Sequence, residues 1–144
     1  ARTLAAKDPA VSERFWTEHL AGLPGPTLLA GPAPQLIEEL PRPLVHTLSA
    51  ELSELLRETA RTRGVTLNSV LTGAFGLFLG ARTGRGDAVF GVTVSGREGE
   101  GHGDIVGVLL NTVPLWTRAR PDDSVDAFLS SVQAARVAAM DHEH

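Results

Sequence analysis

The sequence predicts an α/β fold, an α+β layered sandwich in which helices cover a sheet. Three observations carry that reading. The stretch Thr66 to Arg97, TLNSVLTGAFGLFLGARTGRGDAVFGVTVSGR, opens on a helical pattern with almost no polar side. It closes on a strand pattern, Ala88 to Val94, that is apolar or small on both faces. Two further amphipathic helical segments flank it, so the apolar faces have partners to meet.

In the helical half, Leu67, Val70, Leu71, Ala74, Phe75 and Phe78 fall on one stripe at helical spacing, and Leu77 and Leu79 fill much of the other side. A helix apolar around most of its circumference is expected to be wrapped by other elements. In the strand half, Ala88, Phe90, Val92 and Val94 share one face, with Val89, Gly91 and Thr93 on the other. That pattern predicts a strand covered on both sides.

The elements follow in chain order. Asp8 to Leu20 reads as a short helix: Asp8 caps, Pro9 takes the first position, Val11, Phe15, Trp16 and Leu20 form the apolar stripe, and Gly22 with Pro24 ends it. Trp16 reads as a packing anchor and His19 as a solvated helix residue. Gly22 to Pro43 is rich in Pro, Gly and Ala, which suits a surface connection over the core. Leu44 to Leu48 alternates like a five-residue strand with His46 on one of its faces. Ser49 caps a helix from Ala50 to Arg63, with Leu52, Leu55, Leu56, Thr59 and Ala60 expected inward and Gly64 just past its end. Glu54–Arg57 and Glu58–Arg61 are spaced as surface pairs.

Ser95 to Gly103, SGREGEGHG, holds four glycines in nine residues, a loop whose backbone can approach a ligand closely. It has neither the Lys-Ser/Thr nor the following helix of a phosphate loop. Ile105 to Arg118 is an apolar segment interrupted by Asn111 and Thr112, whose polar groups need partners at a bulge, a loop end or a cavity. Pro114 within it marks a bulge or an edge strand. Pro121 to Ser124 starts a last helix that runs to about Met140 and buries Val125, Phe128, Leu129, Val132, Ala135 and Ala139.

Composition bounds the function. The chain has 144 residues, 42% apolar and 21% charged, with a net charge of −4. That suits one globular domain and argues against nucleic acid as partner. With no cysteine there is no disulfide or thiolate metal site. His102 and Asp104 lack metal-site spacing, and His142 and His144, two apart, share no helix face. No run reaches membrane-span length and no secretory signal opens the chain, so a cytoplasmic location is expected by elimination. Beginning on Ala1 and ending on Asp-His-Glu-His, the chain looks cut at both ends. No nucleophile elbow or adjacent histidines are present, and no paired carboxylates sit in a pocket-like apolar setting, so residue chemistry alone names no catalytic group.

The order of segments resembles the C-terminal lobe of condensation domains of nonribosomal peptide synthetases, members of the chloramphenicol-acetyltransferase-like superfamily. FWTEHLAGLP is similar to the family's Tyr/Phe-Trp-x-x-x-Leu-x-Gly-x-Pro segment. The Thr66–Arg97 stretch resembles its long helix, strand and Ser-Gly-Arg ending. DIVGVLLNTVPL resembles Asp-Met-Val-Gly-x-Phe-x-Asn-Thr-x-Pro, and SVDAFLSSVQAARVAAMDHEH resembles the helix leading to His-Gln-Asp-x-Pro-Phe. The sequence departs from the pattern at Trp116, where the family usually carries Arg, at Leu109 for Phe and at Glu143 for Gln, and it stops before the Pro-Phe. The family's His-His-x-x-x-Asp-Gly motif, which carries the catalytic imidazole, has no match.

The resemblance implies a half-domain spanning residues 1–144, with a mixed sheet and flanking helices. The parent would be an acyltransferase-type enzyme, and this chain alone would be inactive. The parent reaction would join aminoacyl or peptidyl thioesters held on the phosphopantetheine arms of donor and acceptor carrier proteins. Ser95, Gly96, Arg97, Asn111 and Thr112 would bind substrate or hold the tunnel floor, and no residue of this chain would be catalytic. The N-terminal lobe would be a partner, and self-association through the uncovered lobe face is expected. The alternatives are a lobe of an epimerisation, other acyltransferase or partner-recruiting domain of the superfamily, or a non-enzymatic interaction module.

Overall fold

The computed structural model describes residues 8–29, 42–95 and 107–143. Each helix begins where a capping side chain stands. Helix α1 (Pro9–His19) has Asp8 accepting from the Ala10 amide. Helix α2 (Ala50–Thr62) has Ser49 accepting from Leu52. Helix α3 (Leu67–Thr83) has Thr66 accepting from Ser69, and helix α4 (Val125–Ala139) has Ser124 accepting from Ala127. Helix α3 ends at Gly84, whose φ of +66° is the left-handed conformation that releases the chain into the next element. A short 3₁₀ turn, Met140–His142, follows α4.

Strands β1 (Asp87–Ser95) and β2 (Leu110–Arg118) pair antiparallel in an unbroken register from Asp87↔Arg118 to Ser95↔Leu110. Their inner face carries Ala88, Phe90, Val92 and Val94 opposite Thr117, Leu115, Val113 and Asn111. Helices α3 and α4 pack on this face, and α2 packs against α3. The core is Ala60, Val70, Leu115, Phe128, Leu129 and Val132, with Leu115 and Val132 fully buried. This is the layered helix-and-sheet class expected, and the described sheet is an antiparallel pair.

The structure corrects the sequence reading at several elements. On α3 the buried residues are Ser69, Val70, Gly73, Gly76, Leu79 and Gly80. Of the expected stripe only Val70 is buried, and Leu71, Phe75 and Phe78 are each about half exposed. The cause is close approach. A Cβ at Gly76 would overlap Thr117 Oγ1, and one at Gly73 would come within 3.1 Å of Leu129 Cδ2. The small face lets the helix backbone sit against the sheet and α4, and the large side chains are left pointing away. Apolar periodicity counts side chains and is blind to a contact made by glycine.

The outer face of strand β1 is covered only near its start, where half-buried Val89 pairs with buried Trp116; Gly91 and Thr93 further along are exposed. Residues Leu44 to Leu48 form no strand, and Leu44 and Val45 are 98% and 84% exposed. Alternation makes a strand only with a neighbour to pair with, and none stands there among the described residues. His46 is accordingly exposed on a coil, not set on a strand face. Val11, Leu52, Leu55 and Val125, all expected inward, are exposed. Helix α2 touches the core only through its far edge, Leu56 and Ala60. His19 is half-buried, stacked on Phe15 with ring centroids 5.0 Å apart, instead of solvated.

Pro114 sits opposite Gly91 with no bulge. Two residues along, the pair Val89↔Trp116 has the Val89 amide turned outward to Thr27 Oγ1 at 2.8 Å. By the antiparallel alternation, Pro114 turns its donor-less nitrogen outward too, as an edge strand permits. Thr27 belongs to the connection after α1, which thereby runs along the outer edge of β1. Residues 30–41 of that connection lie outside the described residues.

Candidate functional site

Antiparallel pairing brings the far end of β1 to the start of β2, and this is where three of the five expected substrate-binding residues meet. Val94 pairs with Asn111, Thr93 with Thr112 and Ser95 with Leu110. Because side chains alternate along a strand, Ser95 and Thr112 share the outer face while Asn111 lies on the inner one. Adjacency in sequence therefore separates Asn111 and Thr112 in space. Ser95 and Thr112 are exposed, and both polar ends of the Asn111 amide are engaged. Its Nδ2 donates to the Glu143 carbonyl at 2.8 Å, and its Oδ1 accepts from the Thr112 backbone N–H at 2.8 Å. These are loop-end contacts, without a bulge. Gly96 and Arg97, together with the glycine-rich loop and its His102 and Asp104, lie outside the described residues.

The opposite end of the sheet holds a second polar group, built around Trp116, which the sequence marks only as a departure from the family pattern. The Trp116 indole N–H donates to Asp87 Oδ2 at 3.1 Å. Arg85 Nε donates to the other oxygen of the same carboxylate at 3.3 Å, and the Arg118 guanidinium lies 4.2 Å from the Trp116 ring centroid. Trp116 is buried on the outer face with its donor satisfied, so it fills space and fixes the β1 start. Burial, and after it the charge of Arg118, holds the nearby His19 imidazole below its ordinary pKa.

Among the described residues no group of three or more His, Asp or Glu side chains is arranged to hold a metal ion, and no single helix is long and apolar enough to cross a membrane. The cavity bounded by Gly76, Gly80, Arg85, Thr117 and Phe128 has a volume near 30 Å³, room for about one water. It is a packing gap beneath α3. The geometry can therefore offer hydroxyls and backbone at an exposed sheet end.

The condensation-domain family model matches residues 1–144. The chain belongs to the condensation-domain family. Its relatives are nonribosomal peptide synthetases. It is 37% identical over 149 aligned residues to chondramide synthase of Chondromyces crocatus, covering 98% of this chain and 4% of that protein. It is 36% identical over 140 residues to N-(5-amino-5-carboxypentanoyl)-L-cysteinyl-D-valine synthase of Amycolatopsis lactamdurans, covering 96% of this chain and 4% of that one. The structure superposes on the first condensation domain of the CDA synthetase with a TM-score of 0.75 at 26% identity, covering 98% of this chain and 32% of the solved one. This condensation-family chain thus spans a small part of the synthetases it matches and about a third of the solved domain.

Proposed function

We propose that the chain is the C-terminal lobe of a condensation domain and works as one wall of a two-lobed acyl-transfer tunnel. What carries this reading is the match of the condensation model to residues 1–144 together with a superposition that accounts for only 32% of a solved domain. In the parent reaction the amine of an acceptor aminoacyl thioester attacks the carbonyl carbon of a donor thioester. A C–N bond forms, the C–S bond breaks, the thiol is released on the donor arm, and the amine gives up a proton. Both substrates arrive on phosphopantetheine arms of carrier proteins. The imidazole that manages the proton belongs to the N-terminal lobe, which makes that lobe and the two carrier proteins the partners. The setting is cytoplasmic.

Within this scheme the chain binds and orients. Ser95 and Thr112 present hydroxyls on one face at the end of the sheet, suited to hydrogen bonding a substrate amide or its arm. Gly96 and Arg97, which follow Ser95 in the sequence, are assigned the same role, binding substrate or holding the tunnel floor. Asn111 holds the start of β2 against the turn after α4. None of these groups moves the reaction's proton.

The test is an assay with loaded donor and acceptor carrier proteins. The 144-residue chain alone yields no dipeptidyl product, and adding a condensation-domain N-terminal lobe from the same synthetase restores it. Product from the chain alone overturns the proposal, as does failure of the complete domain to condense any loaded pair.

A further inference from the structure

Contacts from three elements converge on His142 and Glu143, at the end of the turn that follows α4. The His142 ring lies flat on Phe15, with centroids 4.0 Å apart and planes 15° from parallel. Its Nδ1 is 3.0 Å from Ser12 Oγ. The Trp16 indole N–H donates to the His142 carbonyl at 3.2 Å. The Asn111 amide donates to the next carbonyl, that of Glu143, at 2.8 Å. The Glu143 carboxylate takes Arg136 of α4 at 2.9 Å, with the two side chains only 15% and 23% exposed.

Helix α1 makes its closest described contacts with this turn. Ser12 is its one buried residue, and Val11 faces solvent. Of its half-buried groups, Phe15 and Trp16 grip His142, while His19 stacks on Phe15 on the side of Arg118. Two of the contacts end on successive main-chain carbonyls, so the conformation of one short turn sets both. If the turn after Met140 unwinds, Trp16 and Asn111 lose their acceptors together. If α1 lifts away, the turn loses a stacked ring and two hydrogen bonds, and the carbonyl that holds Asn111 is no longer fixed.

We propose that His142 and Glu143 form a clasp that couples the docking of α1 to the setting of Asn111 at the start of β2. The closed position is the one described above, and the open position has α1 undocked and the Asn111 amide released. Coupling of this kind needs an element with two discrete arrangements, and the clasp assigns that role to the Met140–His142 turn. The clasp rests on these contacts alone and does not depend on the acyl-transfer reading.

The experiment uses the full chain and the variant Arg136→Gln, since Arg136 is placed to touch Glu143 and not α1. Loss of one charge-assisted bond corresponds to about a tenfold change in an opening equilibrium. Hydrogen exchange of the α1 amides is therefore expected to quicken about tenfold. The side-chain amide resonance of Asn111 is expected to shift in the same variant. Trp16→Phe, which keeps a ring and removes one donor, is expected to shift that Asn111 resonance as well. Unchanged α1 exchange in a folded Arg136→Gln chain, or an unmoved Asn111 resonance in Trp16→Phe, overturns the clasp. Should Arg136→Gln fail to fold, the Trp16→Phe readout decides alone.

Discussion

His19 lies at the end of α1 where burial and the Arg118 charge both favour the neutral imidazole. Its folded pKa is below the value it has in the unfolded chain, so the unfolded state binds the proton first as pH falls. The stability tied to neutral His19 is present above the unfolded pKa and is lost as pH drops below it, until the folded form protonates too. Denaturant midpoints of the chain should therefore decline as pH falls through the ordinary histidine value, about 6.5. In His19→Gln that part of the decline should vanish. An identical pH profile in the variant would remove His19 as the cause. The same residue shows what a single position hides from sequence reading. Nothing in its own neighbourhood distinguishes a solvated imidazole from one covered by Phe15 and faced by Arg118, because Arg118 comes from a strand far along the chain.

At the scale of an element, α3 is decided by glycine. Gly76→Ala would drive a methyl into Thr117, whose Oγ1, Cβ and Cγ2 all lie within 2.9 Å of the new atom, so helix or strand must shift. Overpacking of this kind costs about 1–3 kcal/mol. Phe78→Ala removes a far larger group, but one 55% exposed, and should cost less than the ~3–5 kcal/mol of a buried Phe. Chemical denaturation of the two variants should rank Gly76→Ala as the more damaging, and the reverse order would restore the apolar stripe as the packing face. Caps and ends of α1 to α4 were legible because Asp8, Ser49, Thr66, Ser124 and Gly84 act within one turn of themselves. The burial of α3 was not legible, since it depends on Thr117, Phe128 and Leu129 arriving from other elements. Leu44 to Leu48 failed for the same reason: its alternation is real, and the pairing it needs is not local. The spatial grouping of the candidate residues was half legible. Ser95, Asn111 and Thr112 do gather at one sheet end, but pleating sets Asn111 on the opposite face from the other two, where it binds Glu143.

At the scale of the molecule, the apolar surface is distributed in a way that a finished domain avoids. Phe75 meets Phe90 edge-on at 5.1 Å and Phe78 at 6.4 Å, so these rings form a connected patch beside Leu71. Leu52 and Leu55 on α2 and the extended Leu44 and Val45 are also uncovered. Among the described residues the sheet has two strands, with the far half of its outer face exposed, and such a sheet lies at the lower limit of what is stable alone. Contiguous exposed apolar surface of this sort is used for association. The chain covers about a third of a solved condensation domain; on the proposed reading as one lobe, these surfaces would face the rest of the domain, and in isolation they should meet each other. Sedimentation equilibrium should then show mass rising with concentration. Phe75→Ser with Phe78→Ser should move the chain toward monomer without loss of helical signal, because both rings sit outside the core. A clean monomer at high concentration would mean that these faces are tolerated by water. A double variant that stays associated would place the contact elsewhere, on the exposed far half of the sheet's outer face or on α2.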